Sequence, residues 1–142
     1  MPNLLDSQQF PSSLYGYNIR PPFDTEHKYF RSNTHVAGMA AEDGHIVLNP
    51  YSTLSTTEML SVAKNEAARL FIRQNKVPIG FSLTPQQIQS FKGTTYEKDP
   101  EAMKATVAAR LLTGDPSAGI STPGQDSFVR WLSTELGKRN KQ

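Results

Sequence analysis

The fold is decided by the stretch MAAEDGHIVLNPYSTLSTTEML, residues 39–60. Two β-compatible runs flank Asp43-Gly44, a dipeptide typical of two-residue type I′ turns, so the sequence predicts a β-hairpin within residues 34–50. Closing the turn there places Ala41 opposite Ile46. Because side chains alternate between the two faces of a strand, one apolar face should need a packing partner. Its predicted members are Met39, Ala41, Ile46 and Leu48.

The helix that follows can supply this partner. Ser55 is placed as an N-cap and Glu58 lies three residues on, a capping box that predicts a helix over about residues 56–75. Its apolar residues recur at helical spacing and form one stripe that can lie on the hairpin. The stripe consists of Met59, Leu60, Ala63, Ala67, Leu70 and Phe71. Val62, Ala68 and Ile72 add apolar surface on the far side, so the helix should be covered twice.

Three shorter helices are predicted by further caps. Thr84-Pro85 opens one that ends near Phe91, and Asp99-Pro100 opens another to about Thr113. Thr122-Pro123 opens the last. The predicted fold class is α+β, with an extended N-terminal arm, a β-hairpin, one long helix and about three short helices.

The arm is predicted from four prolines within residues 1–25, whose spacing disfavours a long helix or a central strand. The predicted division is an arm over residues 1–25, a small α+β domain over 26–137 and a basic tail over 138–142. The arm is too rich in large apolar side chains for a disordered segment, so it either wraps its own domain or lies along a neighbouring subunit. The candidate partner-binding residues are the aromatics crowded near this end, which are typical of interfaces. They are Phe10, Tyr15, Tyr17, Phe23, Tyr29 and Phe30.

Composition excludes several classes of function. The 142-residue chain has no cysteine, which excludes thiolate zinc clusters and cysteine nucleophiles. A formal net charge of +2 argues against nucleic-acid binding, and no apolar run approaches the roughly 18 residues that span a bilayer. The glycine-rich residues 113–124 lack the lysine of a phosphate loop, and no nucleophile-elbow motif is present. Residues His35 and His45 fall on opposite faces of the hairpin, so no metal or cofactor is expected.

One segment resembles a known enzyme family. Residues 36–72 place a hairpin before a helix that carries NEAAR, residues 65–69, and this order resembles the zincin metalloproteases. In that family two histidines one helical turn apart bind zinc, and the glutamate between them activates water. The matching positions here hold Asn65, Glu66 and Arg69. Because an amide and a guanidinium are poor zinc ligands, the segment is interpreted as a degenerate zincin hairpin and helix.

The arm and the small capped core resemble, in overall style, the minor structural proteins of tailed bacteriophage virions. The resemblance assigns no residue roles. The predicted function is therefore a non-enzymatic structural or adaptor subunit, attached through its arm to other protein subunits of a larger assembly. Its location would be the virion if the chain is phage-encoded and the cytoplasm otherwise. Deleting residues 1–25 should then abolish assembly and leave a folded core. The alternative is an inactive zincin relative that binds peptide along the hairpin edge.

Overall fold

The computed structural model describes residues 10–140. Within them, five α-helices and one four-stranded sheet confirm the predicted α+β class. The elements run in the order β1 (Ser13–Leu14), β2 (Tyr17–Arg20), α1 (Asp24–Ser32), β3 (Gly38–Ala40), β4 (Ile46–Leu48), α2 (Thr56–Gln74), α3 (Pro85–Ser90), α4 (Pro100–Leu112) and α5 (Pro123–Arg139), with a short 3-10 helix at Pro116–Ala118.

The sheet is mixed and has β3 at one edge. Its strand order is β1-β2-β4-β3, in which β2 runs parallel to β4 and both outer pairs are antiparallel. Helix α2 contacts both β3 and β4 and also makes the most extensive helix contact of the structure, with α4. One layer of the core therefore lies between the sheet and α2, and a second lies between α2 and the C-terminal helices.

The extended arm was wrong for residues 10–25, which fold into the sheet of their own chain. Strands β1 and β2 form a tight hairpin closed by the pair Leu14 and Tyr17. The two turn residues, Tyr15 and Gly16, have φ of 52° and 78°, as a type I′ turn requires. Pro11, Pro21 and Pro22 lie beside these very short strands and do not interrupt them. Residues 1–9 of the predicted arm lie outside the described residues.

The β3–β4 hairpin forms where it was predicted, but its register is shifted by one residue. Met39 pairs with Val47 and Ala40 pairs with Ile46. The reason is a wider turn: the Gly44 amide donates to the Ala41 carbonyl at 3.0 Å, and only Gly44 has positive φ, 84°. This is a type I turn followed by a glycine bulge, which inserts a third loop residue.

The shift redistributes the apolar side chains between the two faces of the sheet. Ala40, Ile46 and Leu48 pack towards α2 in the main core. Met39, Ala41 and Val47 pack instead against Phe30 of α1. The predicted single face of Met39, Ala41, Ile46 and Leu48 was therefore wrong, because a one-residue slip exchanges the faces of one strand.

Helix α1 was not predicted, and an ion-pair network fixes it to the sheet. The Arg20 guanidinium donates to Glu26 of α1 at 2.7 and 3.0 Å, and its Nε donates to Asp43 in the hairpin turn at 2.8 Å. Arg20 hydrogen bonding is the main reason that the pKa of Glu26 is lowered. The network joins the first hairpin, α1 and the second hairpin.

Helix α2 follows its prediction closely. Ser55 and Glu58 exchange hydrogen bonds in the expected capping box, and the helix ends at Gln74. Ala63, Ala67 and Leu70 are fully buried, and Ala68 and Ile72 on the opposite side are buried as well. The predicted coverage on two sides is confirmed.

The caps of α3 and α5 are joined in the interior. Gln87 and Gln125 each occupy the third position of their helix and complete its capping box. Their side-chain amides also bind each other, with Nε2 to Oε1 distances of 2.9 and 2.8 Å. Both residues are buried. The pair therefore links the starts of α3 and α5, which the sequence presents as two separate capping motifs.

Helix α5 is longer than predicted and takes in part of the basic tail. It spans 17 residues, so Lys138 and Arg139 belong to its last turn. The Arg139 guanidinium lies 4.0 Å from the centre of the Tyr17 ring, and its Nε donates to the Tyr15 carbonyl at 2.9 Å. Tail residues 141–142 lie outside the described residues.

Candidate functional site: a groove along the edge strand

Two open cavities lie side by side along β3, and β3, α2 and α4 contribute lining residues to both. Their volumes are about 580 and 610 Å³. Both cavities are lined by Gly38 and Glu66, so they meet at these two residues. We call the whole feature the β3 groove. Its first cavity includes Ser61, Asn65 and Arg110, and its second includes Arg69, Tyr96 and Ala102.

The backbone of Gly38 faces the groove. In the β3–β4 ladder the Asn49 amide donates to the Ala37 carbonyl, and the Ala41 amide donates to the His45 carbonyl, both at 2.9 Å. Because antiparallel backbone groups alternate in direction, Gly38 and Ala40 point their N–H and C=O groups away from β4. Gly38 also fits closely over α2, since a Cβ atom there would lie 2.9 Å from Val62 Cγ1.

The outward groups of Ala40 are occupied by side chains of α2. The Arg73 guanidinium donates to the Ala40 carbonyl at 3.1 Å and to the Ala41 carbonyl at 2.6 Å. The Ala40 amide lies close enough to Glu66 to favour its ionised form. Arg73 and Glu66 therefore cover the edge strand at Ala40 and leave Gly38 as the open position.

Glu66 is a buried carboxylic acid whose one close donor among residues 10–140 is a backbone amide, that of Ala40. It is 8% exposed. Among the same residues no side chain donates a hydrogen bond to its carboxylate, and no ion pair lies within 4.0 Å of it. Burial raises the pKa of Glu66, and the more distant charges of Arg69 and Arg73 offset only part of that effect. A carboxylate placed in this way can still accept further hydrogen bonds or pair with a cation.

The arginines of the groove already have partners. Arg69 donates to the Tyr96 hydroxyl, and its guanidinium carbon lies 5.1 Å from the centre of that ring. Arg110 lies 5.4 Å from the centre of the Phe91 ring. Arg73 holds the two carbonyls of the edge strand. Each guanidinium is thereby oriented by a contact within the protein.

The residues at the zincin-like positions do not fit a zinc site. Asn65 lines the first cavity and Arg69 the second, on either side of Glu66. An amide and a guanidinium supply no anionic or imidazole ligand, so neither position can hold zinc. Within residues 10–140 no three His, Cys, Asp or Glu side chains come together as a metal-binding group.

The histidines are separated in the structure. Nδ1 of His27 is 3.0 Å from the Tyr51 hydroxyl, and Nδ1 of His45 is 3.2 Å from the Asp43 carboxylate. His35 lines the first cavity of the β3 groove.

The predicted partner-binding aromatics divide into two groups. Phe10, Tyr17 and Phe30 are buried and belong to the core, so they are not available to a partner as predicted. Tyr15 is half-buried in the first turn. Phe23 and Tyr29 are 58% and 46% exposed. Tyr29 lines the second cavity, whereas Phe23 stacks on Arg20 at 3.8 Å.

Comparison of the chain with family models, curated proteins and solved structures finds no match. The resemblances to zincins and to virion proteins therefore stay predictions, and a function has to be argued from the groove. Among residues 10–140, no helix is both long enough and apolar enough to cross a bilayer.

Several groove residues were missed by sequence reasoning. Gly38, Arg73, Tyr96 and Arg110 match no short motif, and they lie on β3, on α2, in the loop before α4 and on α4. The one signal in the sequence was the hairpin followed by a helix carrying Asn65, Glu66 and Arg69, and all three line the groove.

Proposed function

We propose that the protein is a non-enzymatic structural or adaptor subunit that binds an extended segment of another protein subunit in the β3 groove. The observation that carries this proposal is the meeting of two cavities beside the open backbone of Gly38. An extended segment can pair its main chain with an exposed strand edge while its alternate side chains enter pockets on either side. The groove offers both features together.

The groove suits a short contact of this kind better than a long added strand. Strand β3 has only three residues, and Arg73 already holds the Ala40 carbonyl. Main-chain pairing is thus confined to Gly38, and most of the affinity has to come from side chains in the two cavities. This arrangement favours recognition of a particular segment over indiscriminate pairing with any strand.

The non-enzymatic part of the proposal rests on residue types. Glu66 is the buried acid of the groove, but its neighbours at the zincin-like positions are Asn65 and Arg69, which can neither ligate zinc nor act as a nucleophile. The larger assembly is a virion if the chain is phage-encoded and a cytoplasmic complex otherwise. Only the resemblance in overall style supports the virion. Because residues 10–25 fold with their own chain, an extended arm no longer contributes to that resemblance.

A library of random extended heptapeptides, selected against the purified protein, tests this proposal. We expect enriched peptides to shift amide NMR signals of Gly38 and its neighbours. Ser61→Trp, which introduces an indole into the first cavity, should weaken binding at least about tenfold, a loss of about 1.4 kcal/mol. Thr57→Trp is the matched control, because Thr57 is exposed on the same helix and lines neither cavity. Failure to enrich any peptide, or equal binding by both variants, would refute the proposal.

A further inference from the structure

We infer that the segment held in the β3 groove presents a basic side chain, lysine or arginine, to Glu66. The inference rests on the proposed function and specifies its partner. Glu66 lines both cavities and lies where they meet, directly beside the open position Gly38. A segment that pairs with Gly38 therefore has to pass this carboxylate.

The charges around the groove favour a cation over an anion. Its lining contains five carboxylic acids and three guanidinium groups, although the whole chain carries a formal charge of +2. The three arginines are each occupied by a contact within the protein. The acids are Glu58, Glu66, Asp99, Glu101 and Asp115. A bound anion would compete with existing contacts and meet excess negative charge, whereas a cation would meet a carboxylate to which no side chain of residues 10–140 donates a hydrogen bond.

Glu66 differs from the other acids of the groove. Glu58 and Asp99 accept capping bonds in their own helices, Asp115 accepts the Ser117 amide, and Glu101 lies 3.6 Å from Lys104 with 69% of its side chain exposed. Glu66 alone among these five is buried. Glu66 is therefore expected to select a basic side chain because it is buried, not because the groove contains many acids.

Burial of Glu66 in the free protein strengthens the expected ion pair. Its carboxylate has already lost most of its water on folding, so a partner cation adds attraction without adding the desolvation cost of the acid. The carboxylate is also held in place before binding, which reduces the ordering cost. Charge-assisted hydrogen bonds in such surroundings are stronger than neutral ones.

An extended backbone gives the basic side chain a defined position. Side chains of a strand alternate, so every second residue of a segment paired at Gly38 points towards α2, where Glu66 lies. The long stems of lysine and arginine can cross the apolar surface of Val62 and Ala105 while their heads reach the acid. One fixed position of the peptide should therefore be basic.

Sequencing the peptides enriched by wild-type protein, Glu66→Gln and Glu101→Gln tests the inference. We expect lysine or arginine at one position with wild type and Glu101→Gln, and loss of that preference with Glu66→Gln. For one wild-type peptide, exchanging its basic residue for glutamine should weaken binding at least about tenfold to wild type and less than about twofold to Glu66→Gln.

The outcomes separate this inference from the proposed function. Peptides that bind in the groove without a fixed basic residue, or with a preference that survives in Glu66→Gln, overturn the inference and leave the groove function standing. Failure to enrich any groove-binding peptide overturns both. As a control, Glu101→Gln should have the same thermal stability as wild type, and Glu66→Gln should be folded. Differences in peptide preference then reflect binding and not loss of the fold.

Discussion

Replacing Glu66 by glutamine should stabilise the free protein at neutral pH. The side chain keeps its shape, but the charge that burial disfavours is removed. Each unit by which burial raises the pKa of an acid is worth about 1.4 kcal/mol, so Glu66→Gln should raise the free energy of unfolding at pH 7 by on the order of 1 kcal/mol. For a chain of this length the melting temperature should rise by about 3 °C per kcal/mol.

The stability difference between wild type and Glu66→Gln should depend on pH. The pKa of Glu66 in the folded protein lies above its ordinary value of 4.5, so the folded state favours the protonated acid. The stability from that preference is complete below the unfolded pKa and is lost as the pH rises through the folded pKa. Wild type and Glu66→Gln should thus have similar stability near pH 4 and diverge towards pH 7.

Urea unfolding of both proteins between pH 4 and pH 8 measures the difference. Glu42→Gln, a change of an exposed acid in the hairpin turn, is the control and should stay within about 0.5 kcal/mol of wild type. A Glu66→Gln protein less stable than wild type at pH 7, or a difference that does not change with pH, would show that Glu66 has a strong partner in the folded protein.

Three further predictions concern the scaffold of the groove. Arg20→Gln should cost about 2 kcal/mol in urea unfolding at pH 7. The deficit should shrink in acid because the lowered pKa of Glu26 makes this stability disappear as the pH falls below about 4.5; a deficit independent of pH would argue against the ion pair. Deleting residues 1–25 should cost at least about 4 kcal/mol and leave little cooperative unfolding by circular dichroism, because it removes β1 and β2 from the core. A truncated protein with the wild-type melting temperature would instead support the predicted extended arm. Gly38→Ala should cost about 1–3 kcal/mol through its clash with Val62, and adding Val62→Ala should recover part of that loss; no recovery would refute the steric explanation.

The elements fixed by local chemistry could be predicted from the sequence. Ser55, Thr84 and Thr122 each satisfy free amides at a helix start, and all three start helices within one residue of the predicted position. Helix α1 shows the limit of such signals. Its preceding residue, Phe23, has no capping side chain, and Phe30 is its one buried residue, so neither an N-cap nor a stripe of apolar residues marked it.

The hairpin register and the groove depend on contacts distant in sequence. Asp43-Gly44 is compatible with both a two-residue and a three-residue loop, since each can place Gly44 at positive φ. The observed loop lets Asp43 bind Arg20, 23 residues away, and gives each face of the hairpin its own helix. The groove likewise requires α4 beside β3, which no local pattern encodes.

The mutual amide pair of Gln87 and Gln125 has a consequence for chemical ageing of the protein. Hydrolysis of either amide to a carboxylic acid would replace a donor with a negative charge at a buried position. The other glutamine would lose a partner, and the Ser82 or Ala118 carbonyl that the lost amide had bound would be left without its donor. A single deamidation would therefore destabilise the starts of both α3 and α5, although the two glutamines are 38 residues apart in the sequence. Backbone amides at both helix starts should then exchange their hydrogens together.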